Sequence, residues 1–181
     1  MMQQAAQFAR PLLESTQIRK VRRNHGLEHA TIHILTRRVK GVKMSGRSSA
    51  NGFILIGDVS TIQVEAAVND ALQRMRNGEQ GLAIHPNCGT NLVTTGMLTS
   101  VVALANLSGP SRVPGDRFAR LLVSMMLAIL ISQPLGMSLQ RHFTTDGDPG
   151  DLDLVKIKRS EFKLPFAGRA FVIHNVETRG G

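Results

Sequence analysis

The chain has a single cysteine, no tryptophan and no tyrosine, and seven phenylalanines among its 181 residues. One cysteine rules out an intramolecular disulfide, and with it the disulfide scaffolds of small secreted domains; this fits a reducing compartment. Few aromatics means few platforms on which single-stranded nucleic acid could stack. The basic run Arg19-Lys20-Val21-Arg22-Arg23 has none between its cations, so nucleic acid is not an expected partner. The first twenty residues have no long apolar run and no early basic cluster, and no signal peptide is expected there. Ala5, Phe8, Ala9, Leu12 and Leu13 suggest instead a short, loosely docked amphipathic helix. Charge of either sign is absent from Cys88 to Ser111 and again from Leu121 to Gln140.

Elsewhere charge is plentiful and mostly positive. The formal net charge is +9 and the sequence pI about 11.0, which calls for an anionic neighbour such as a membrane surface. Mean hydropathy is only −0.03, because polar flanks offset the two uncharged runs. Leu92–Leu107 and Leu121–Leu139 approach the roughly 20 apolar residues that cross a bilayer. Hydroxyls at Thr94, Thr95, Thr99 and Ser100 can bond back to helix carbonyls, and Pro134 can kink the second run. The expected result is a membrane helical hairpin, with a buried helix pair of a soluble core as the competing reading. Twelve Lys and Arg precede the first run, three lie in or beside the turn-rich linker Ser108–Arg117, and seven follow the second. The positive-inside rule then places both termini in the cytoplasm.

Around this hairpin the sequence predicts an α+β fold with a small antiparallel sheet. A helix is expected over Arg22–Arg38. Val39–Met44 and Phe53–Ile56 read as two strands about the Gly/Ser/Asn-rich stretch 46–52, a connection longer than a two-residue turn. Ser60 and Gln63 have the form of a capping box. The helix they open carries Ile62, Val64, Ala67, Val68, Ala71, Leu72 and Met75 as its apolar positions and stops near Asn77-Gly78. Thr144–Asp151 reads as a loop; its alternating aspartates lack the spacing and closing glutamate of an EF-hand. Leu152–Lys158 and Ala170–Val176 alternate as strands of the same sheet would. His174 lies in the last of these, with its facing open. The expected divisions are an N-terminal segment 1–21, an α/β part 22–91, the hairpin 92–139 and a β segment 140–181 that rejoins the α/β part.

Two stretches carry chemistry. His25, Glu28 and His29 form His-x-x-Glu-His, and on a helix positions i, i+3 and i+4 share one face. Two imidazoles that hold a metal ion and a carboxylate that takes a proton from water have this spacing in the inverted zinc-protease motif. The plain alternative is a solvated helix face. The second stretch, His85-Pro86-Asn87-Cys88-Gly89-Thr90-Asn91, is a loop by its proline and glycine. It sets a histidine beside the lone cysteine, which is a metal ligand, a thiol or a small buried residue. His25, His29, His85 and Cys88 are donors suited to zinc. His33, one turn beyond His29, is a candidate third ligand or a group that steadies the ligands, with an ordinary half-buried histidine as the plainer reading, and Asn91 is a further candidate for the steadying role.

HGLEHATIHIL, GFILIGDVS, AIHPNCGTNLVTTG and TTDGDPGDL together resemble domain-of-unknown-function family 6391, small bacterial and plant proteins, over about Arg22–Leu154. The paired HGxEH and HPxCGT motifs are also similar to those of the YqhQ-like membrane proteins, described as predicted metal-dependent enzymes. That resemblance implies a site of His25, Glu28, His29, His85 and Cys88 and names no substrate.

The functional expectation is a zinc-dependent enzyme of the cell membrane, a hydrolase, with Glu28 catalytic and the metal motif on the cytoplasmic side. His25 and His29 hold the metal, and His85 or Cys88 completes the set. If all four bind, the site is closed and structural, and the protein is an assembly or scaffold subunit. A metal-free thiol mechanism at Cys88 lacks a clear orienting group. Membrane lipids are expected partners, with other proteins or a second copy of the chain as further ones.

Overall fold

The computed structural model describes residues 2–108, 114–163 and 170–181. Short helices α1 (Met2–Phe8) and α2 (Arg10–Leu13) precede a long helix α3 (Thr16–Arg38). Strands β1 (Ser45–Ser49) and β2 (Gly52–Ile56), helix α4 (Thr61–Arg76) and a 3₁₀ turn at Gln80–Ala83 follow. Then come α5 (Gly89–Ser108), α6 (Pro114–Leu139) with a π-helical turn at Gln140–Thr144, β3 (Asp153–Lys163) and β4 (Ala170–Arg179). The fold class is α+β, as expected, with one antiparallel sheet in the order β1-β2-β4-β3. The chain divides into two compact units, residues 1–85 with 141–181, and residues 86–140.

In the first unit, strand alternation decides which residues go inside. Phe53 and Leu55 of β2, and Val172, His174 and Val176 of β4, are buried, while Ile54 between them stays partly exposed. Helices α3 and α4 pack on this sheet. Leu27, Ala30, Ile34 and Leu35 of α3 meet Val64, Ala67, Val68, Ala71, Leu72 and Met75 of α4 in one core. Each leucine, isoleucine, valine or methionine among them contributes about 1.5–3 kcal/mol on burial. α4 begins at the predicted capping box: Ser60 Oγ accepts from Gln63 N at 3.2 Å, and Ser60 N donates to Gln63 Oε1 at 3.0 Å. Of its predicted apolar positions only Ile62 lies outside the core.

Two expectations need correction. Val39–Met44 is not a strand. β1 is the small, polar Ser45–Ser49, and it joins β2 through a two-residue turn, Ala50-Asn51, since Ser49 pairs directly with Gly52. A turn this tight fixes the register, so the partner of Phe53–Ile56 must be residues 45–48. Val39, Val42 and Met44 spend their apolar surface against the rim of the core instead. At the other end, α3 begins at Thr16, six residues before the expected start. The first segment is helical and leaves Phe8 93% exposed, in keeping with the loose docking expected of it.

Asn24 fastens α3 to this hairpin. It is fully buried; its Nδ2 donates to Ser49 O (3.1 Å) and Ala50 O (3.3 Å), and its Oδ1 accepts from Thr178 Oγ1 (2.7 Å). The alternating aspartates of 146–151 surround Arg23, with ion-pair distances of 3.9 Å to Asp146 and 3.7 Å to Asp148 and Asp151. They serve a guanidinium, in keeping with the loop reading.

The second unit is a helical hairpin with its polarity reversed from that of a soluble core. Hydrogen bonds lie between the helices: Thr95 Oγ1 with Ser132 Oγ (2.7 Å), Asn106 Nδ2 to Ser124 Oγ (2.9 Å) and Gln140 Nε2 to Asn91 Oδ1 (2.8 Å). Thr94, Thr99 and Ser100 bond back to carbonyls of their own helix, as expected. Leu92, Met97, Val101, Leu104, Met126 and Leu130 point outward. Both helices are long and apolar enough to cross a membrane.

Asn24→Ala removes three hydrogen bonds at a buried position and leaves their partners unsatisfied. It is expected to lower unfolding stability by about 1–3 kcal/mol, read by chemical denaturation in detergent. Ile62→Ala, at an exposed position on α4, should change stability little.

Candidate functional site

The site is built on the middle of α3. Successive turns of a helix carry residues i and i+4 one above the other, so His25, His29 and His33 run along it as a ladder. His85, after the 3₁₀ turn, comes to the side of this ladder. The ring centroids of His25 and His29 are 4.4 Å apart, those of His29 and His85 5.7 Å, and those of His33 and His85 4.6 Å. Four of the six histidines of the chain therefore stand in one row.

Backbone carbonyls set how these rings are turned. His29 Nδ1 lies 2.7 Å from Ala83 O, and His25 Nδ1 lies 2.9 Å from Thr144 O. A carbonyl can only accept, so in both rings the proton sits on Nδ1. In the neutral ring Nε2 then carries the lone pair, the arrangement by which proteins fix metal-ligating imidazoles. His33 is turned the other way, with Nε2 donating to Ile84 O at 2.9 Å, which leaves the lone pair on Nδ1. Burial, and then the neighbouring His33, hold His85 below the usual histidine range. A neutral ring is what ligation requires.

Glu28 is buried on the same helix and lies against β1. A Cβ built at Gly46 would fall 2.5 Å from Glu28 Oε1, so only glycine lets the strand pass this close to the carboxylate. Gly26, beside His25, has a similar role. A Cβ there would collide with the Asp146 carbonyl oxygen, because the segment 144–146 crosses directly over α3. Asp146 N donates to Arg22 O (3.0 Å), and Arg22 Nη2 donates to Thr145 O (3.1 Å). These bonds hold the strap that presents the Thr144 carbonyl to His25.

Cys88 belongs to the second unit, three residues beyond His85. It is buried and stands immediately before α5, where its Sγ accepts from Thr90 N at 3.4 Å. The thiolate is the form of a cysteine that ligates metals and attacks electrophiles. Asn91 is buried and braces the loop it follows, with Nδ2 donating to Pro86 O at 2.6 Å. His174 lies within the core, its Nε2 3.4 Å from Thr61 Oγ1 on α4; burial, and then the charge of Arg159, lower its pKa.

The first unit thus gathers His25, His29, His33 and His85. Sequence reasoning did not foresee Ala83, Ile84 and Thr144, because a carbonyl that orients a ring leaves no side-chain signature. Gly46 and Gly26 were visible only as glycines.

The comparisons fit this arrangement. Residues 20–157 match the family described as Domain of unknown function (DUF6391). The chain belongs to the DUF6391 family. An uncharacterised protein of Picosynechococcus sp. is 36% identical over 139 residues, an alignment that covers 69% of this chain and 65% of that protein. The chain thus spans just under two thirds of the length of this curated relative. No solved structure matches. The matched region of this DUF6391 chain contains every residue of the candidate site.

Gly26→Ala sets a new Cβ against a backbone oxygen that cannot swing away. A loss of about 1–3 kcal/mol is expected in thermal unfolding followed by circular dichroism. Gly46→Ala would set its Cβ 2.5 Å from Glu28 Oε1 and 2.9 Å from the Ile54 carbonyl oxygen and should destabilise as well. An unfolding temperature unchanged by Gly26→Ala would contradict this account of the strap.

Proposed function

We propose that the protein is a membrane-embedded, zinc-dependent enzyme, a hydrolase by reaction class, with His25, His29 and Cys88 as the metal ligands. The observation that carries this reading is the pair of Nδ1–H groups tied to the carbonyls of Thr144 and Ala83, which gives both imidazoles the tautomer a metal needs. The donor set fits the ion: two neutral imidazoles and a thiolate suit zinc, and three protein ligands leave a position for substrate chemistry. Zinc, when bound, supplies Lewis acidity and lowers the pKa of water. Glu28, on the same helix between the two imidazoles, takes the proton of the attacking water and passes it to the leaving group.

A second reading is supported by His85, whose ring neighbours that of His29. If His85 binds as well, four ligands close the site, and the metal becomes a structural clamp in an assembly or scaffold subunit.

The same reading places α5 and α6 in the bilayer, in contact with lipid, with both termini and the metal site on the cytoplasmic side. The reversed polarity of the hairpin supports insertion, since its outer surface is apolar and its hydrogen bonds lie inside. The distribution of Lys and Arg supports the orientation.

Protein isolated without chelator should contain one zinc per chain by elemental analysis, and His25→Ala should lose it. Glu28→Gln should keep the metal and lower hydrolysis by about 10²–10⁴-fold. Loss of the metal in Glu28→Gln would make Glu28 a ligand and remove the proposed base. Independently, the full chain should stay in the membrane pellet after a carbonate wash; recovery in the supernatant would contradict insertion of α5 and α6.

A further inference from the structure

The two short N-terminal helices and the start of α3 enclose a polar cavity. α1 and α2 run almost as one helix, since Ala9 N donates to Ala5 O and Leu13 N to Ala9 O, both at 3.0 Å. Gln3, Gln7, Arg10 and Glu14 recur along this stretch at helical spacing and so share one face. With Arg22 of α3 and His142 they line an open cavity of about 490 Å³, within the roughly 300–1,000 Å³ of small-molecule sites. The other side of the stretch is apolar and uncovered. Phe8 is 93% and Leu12 63% exposed, one turn apart, while Ala6 and Leu13 are half-buried on the cavity side.

The charges of the cavity do not cancel. Arg10 is held by Glu14 at 2.5 Å. Arg22 meets carbonyls only: its two Nη atoms donate to Leu13 O (3.5 Å) and Thr145 O (3.1 Å), and among the described residues it makes no ion pair. Its Nε is buried and has no partner. A guanidinium drawn from water without a counter-charge is costly until an anion meets it. The bonds from both Nη atoms fix its plane, which prepares the remaining donor for a phosphate oxygen. His142 follows the end of α6 by three residues, which by chain length alone keeps it within about 10 Å of that end.

We infer that this cavity binds the headgroup phosphate of an acidic phospholipid, with Phe8 and Leu12 in the acyl region beside it. The inference rests on the membrane part of the reading above for the source of the anion, and on Arg22 for the site. One ligand then satisfies both sides of the N-terminal stretch. Its phosphate accepts from Arg22 Nε and from the amides of Gln3 and Gln7, and its chains cover the exposed stripe, as they do for helices that lie in a bilayer surface. An acidic headgroup supplies the missing counter-charge, which a zwitterionic one cancels with its own cation.

The chain has no tryptophan, so full-length Phe8→Trp in dodecyl maltoside micelles carries a single fluorescent reporter. Phosphatidylglycerol with brominated acyl chains should quench it at about tenfold lower lipid content than brominated phosphatidylcholine does. Adding Gln7→Glu puts a carboxylate into the cavity and removes no bond among the described residues. It should bring the two lipids to the same curve without lowering the melting temperature. Arg22→Gln should also abolish the preference, so the test stands if only one of the two variants folds. Equal quenching by both lipids in the parent, no quenching by either, or a preference that survives Gln7→Glu and Arg22→Gln overturns the inference. So does an emission shift that rises with protein concentration in the absence of added lipid, because a second copy then covers Phe8. Relief of quenching by inorganic phosphate alone, with no preference between the lipids, assigns the cavity to a soluble anion and overturns it as well. A carbonate wash of membranes that contain the same variants separates the two readings. Protein retained in the pellet but without lipid preference leaves α5 and α6 inserted and removes the headgroup site; protein released yet selectively quenched does the reverse.

Discussion

The proposed chemistry depends on the hydrogen bond from His29 to the Ala83 carbonyl. It joins the middle of α3 to the 3₁₀ turn that follows α4, and it decides which nitrogen of the ring keeps a lone pair. Much of the first unit maintains it. Leu82 and Ala83 are buried in the core, so the carbonyl cannot drift from the ring without disturbing the packing between α3 and α4. The His25 bond to Thr144 depends in turn on the strap across Gly26 and on the bonds of Arg22 to residues 145 and 146. Two segments far apart in sequence therefore turn two adjacent imidazoles the same way. Orientation by backbone carbonyls is stiff, since a carbonyl has no rotamer to change.

The two units arrange their polar and apolar side chains in opposite ways. The first buries Phe53, Leu55, Leu27 and Met75 and turns most of its charges outward, Glu28 excepted. The second puts Thr95, Ser132, Asn106 and Ser124 between its helices and leaves leucine, valine and methionine outside. In hydrocarbon that order is favourable, because a polar group facing lipid has no water to bond. In sequence the two units meet at the HPNC loop, between His85 and Pro86.

What could be read from the sequence was periodic or local. The i, i+4 spacing put His25, His29 and His33 on one helix, the capping box located the start of α4, and the absence of charge marked α5 and α6. Period-two alternation found β3 and β4. What could not be read depended on register or on the backbone. Val39–Met44 looked like a strand because two valines and a methionine recur among its lysines, yet the Ala50-Asn51 turn had already assigned the partner of β2 to Ser45–Ser49. The association of His33 with His85 needed the turn at Gln80–Ala83, whose geometry is not written in any side chain. Gly46 looked like punctuation and proved to be a place where a carboxylate needs room.

The central claim is a metal held by two imidazoles and one thiolate. X-ray absorption at the zinc edge, on protein extracted from membranes without chelator, tests it most directly. The account predicts two nitrogen scatterers at about 2.0–2.1 Å, one sulfur at about 2.3 Å and one light scatterer from solvent. A shell without sulfur, or without nitrogen, would contradict it.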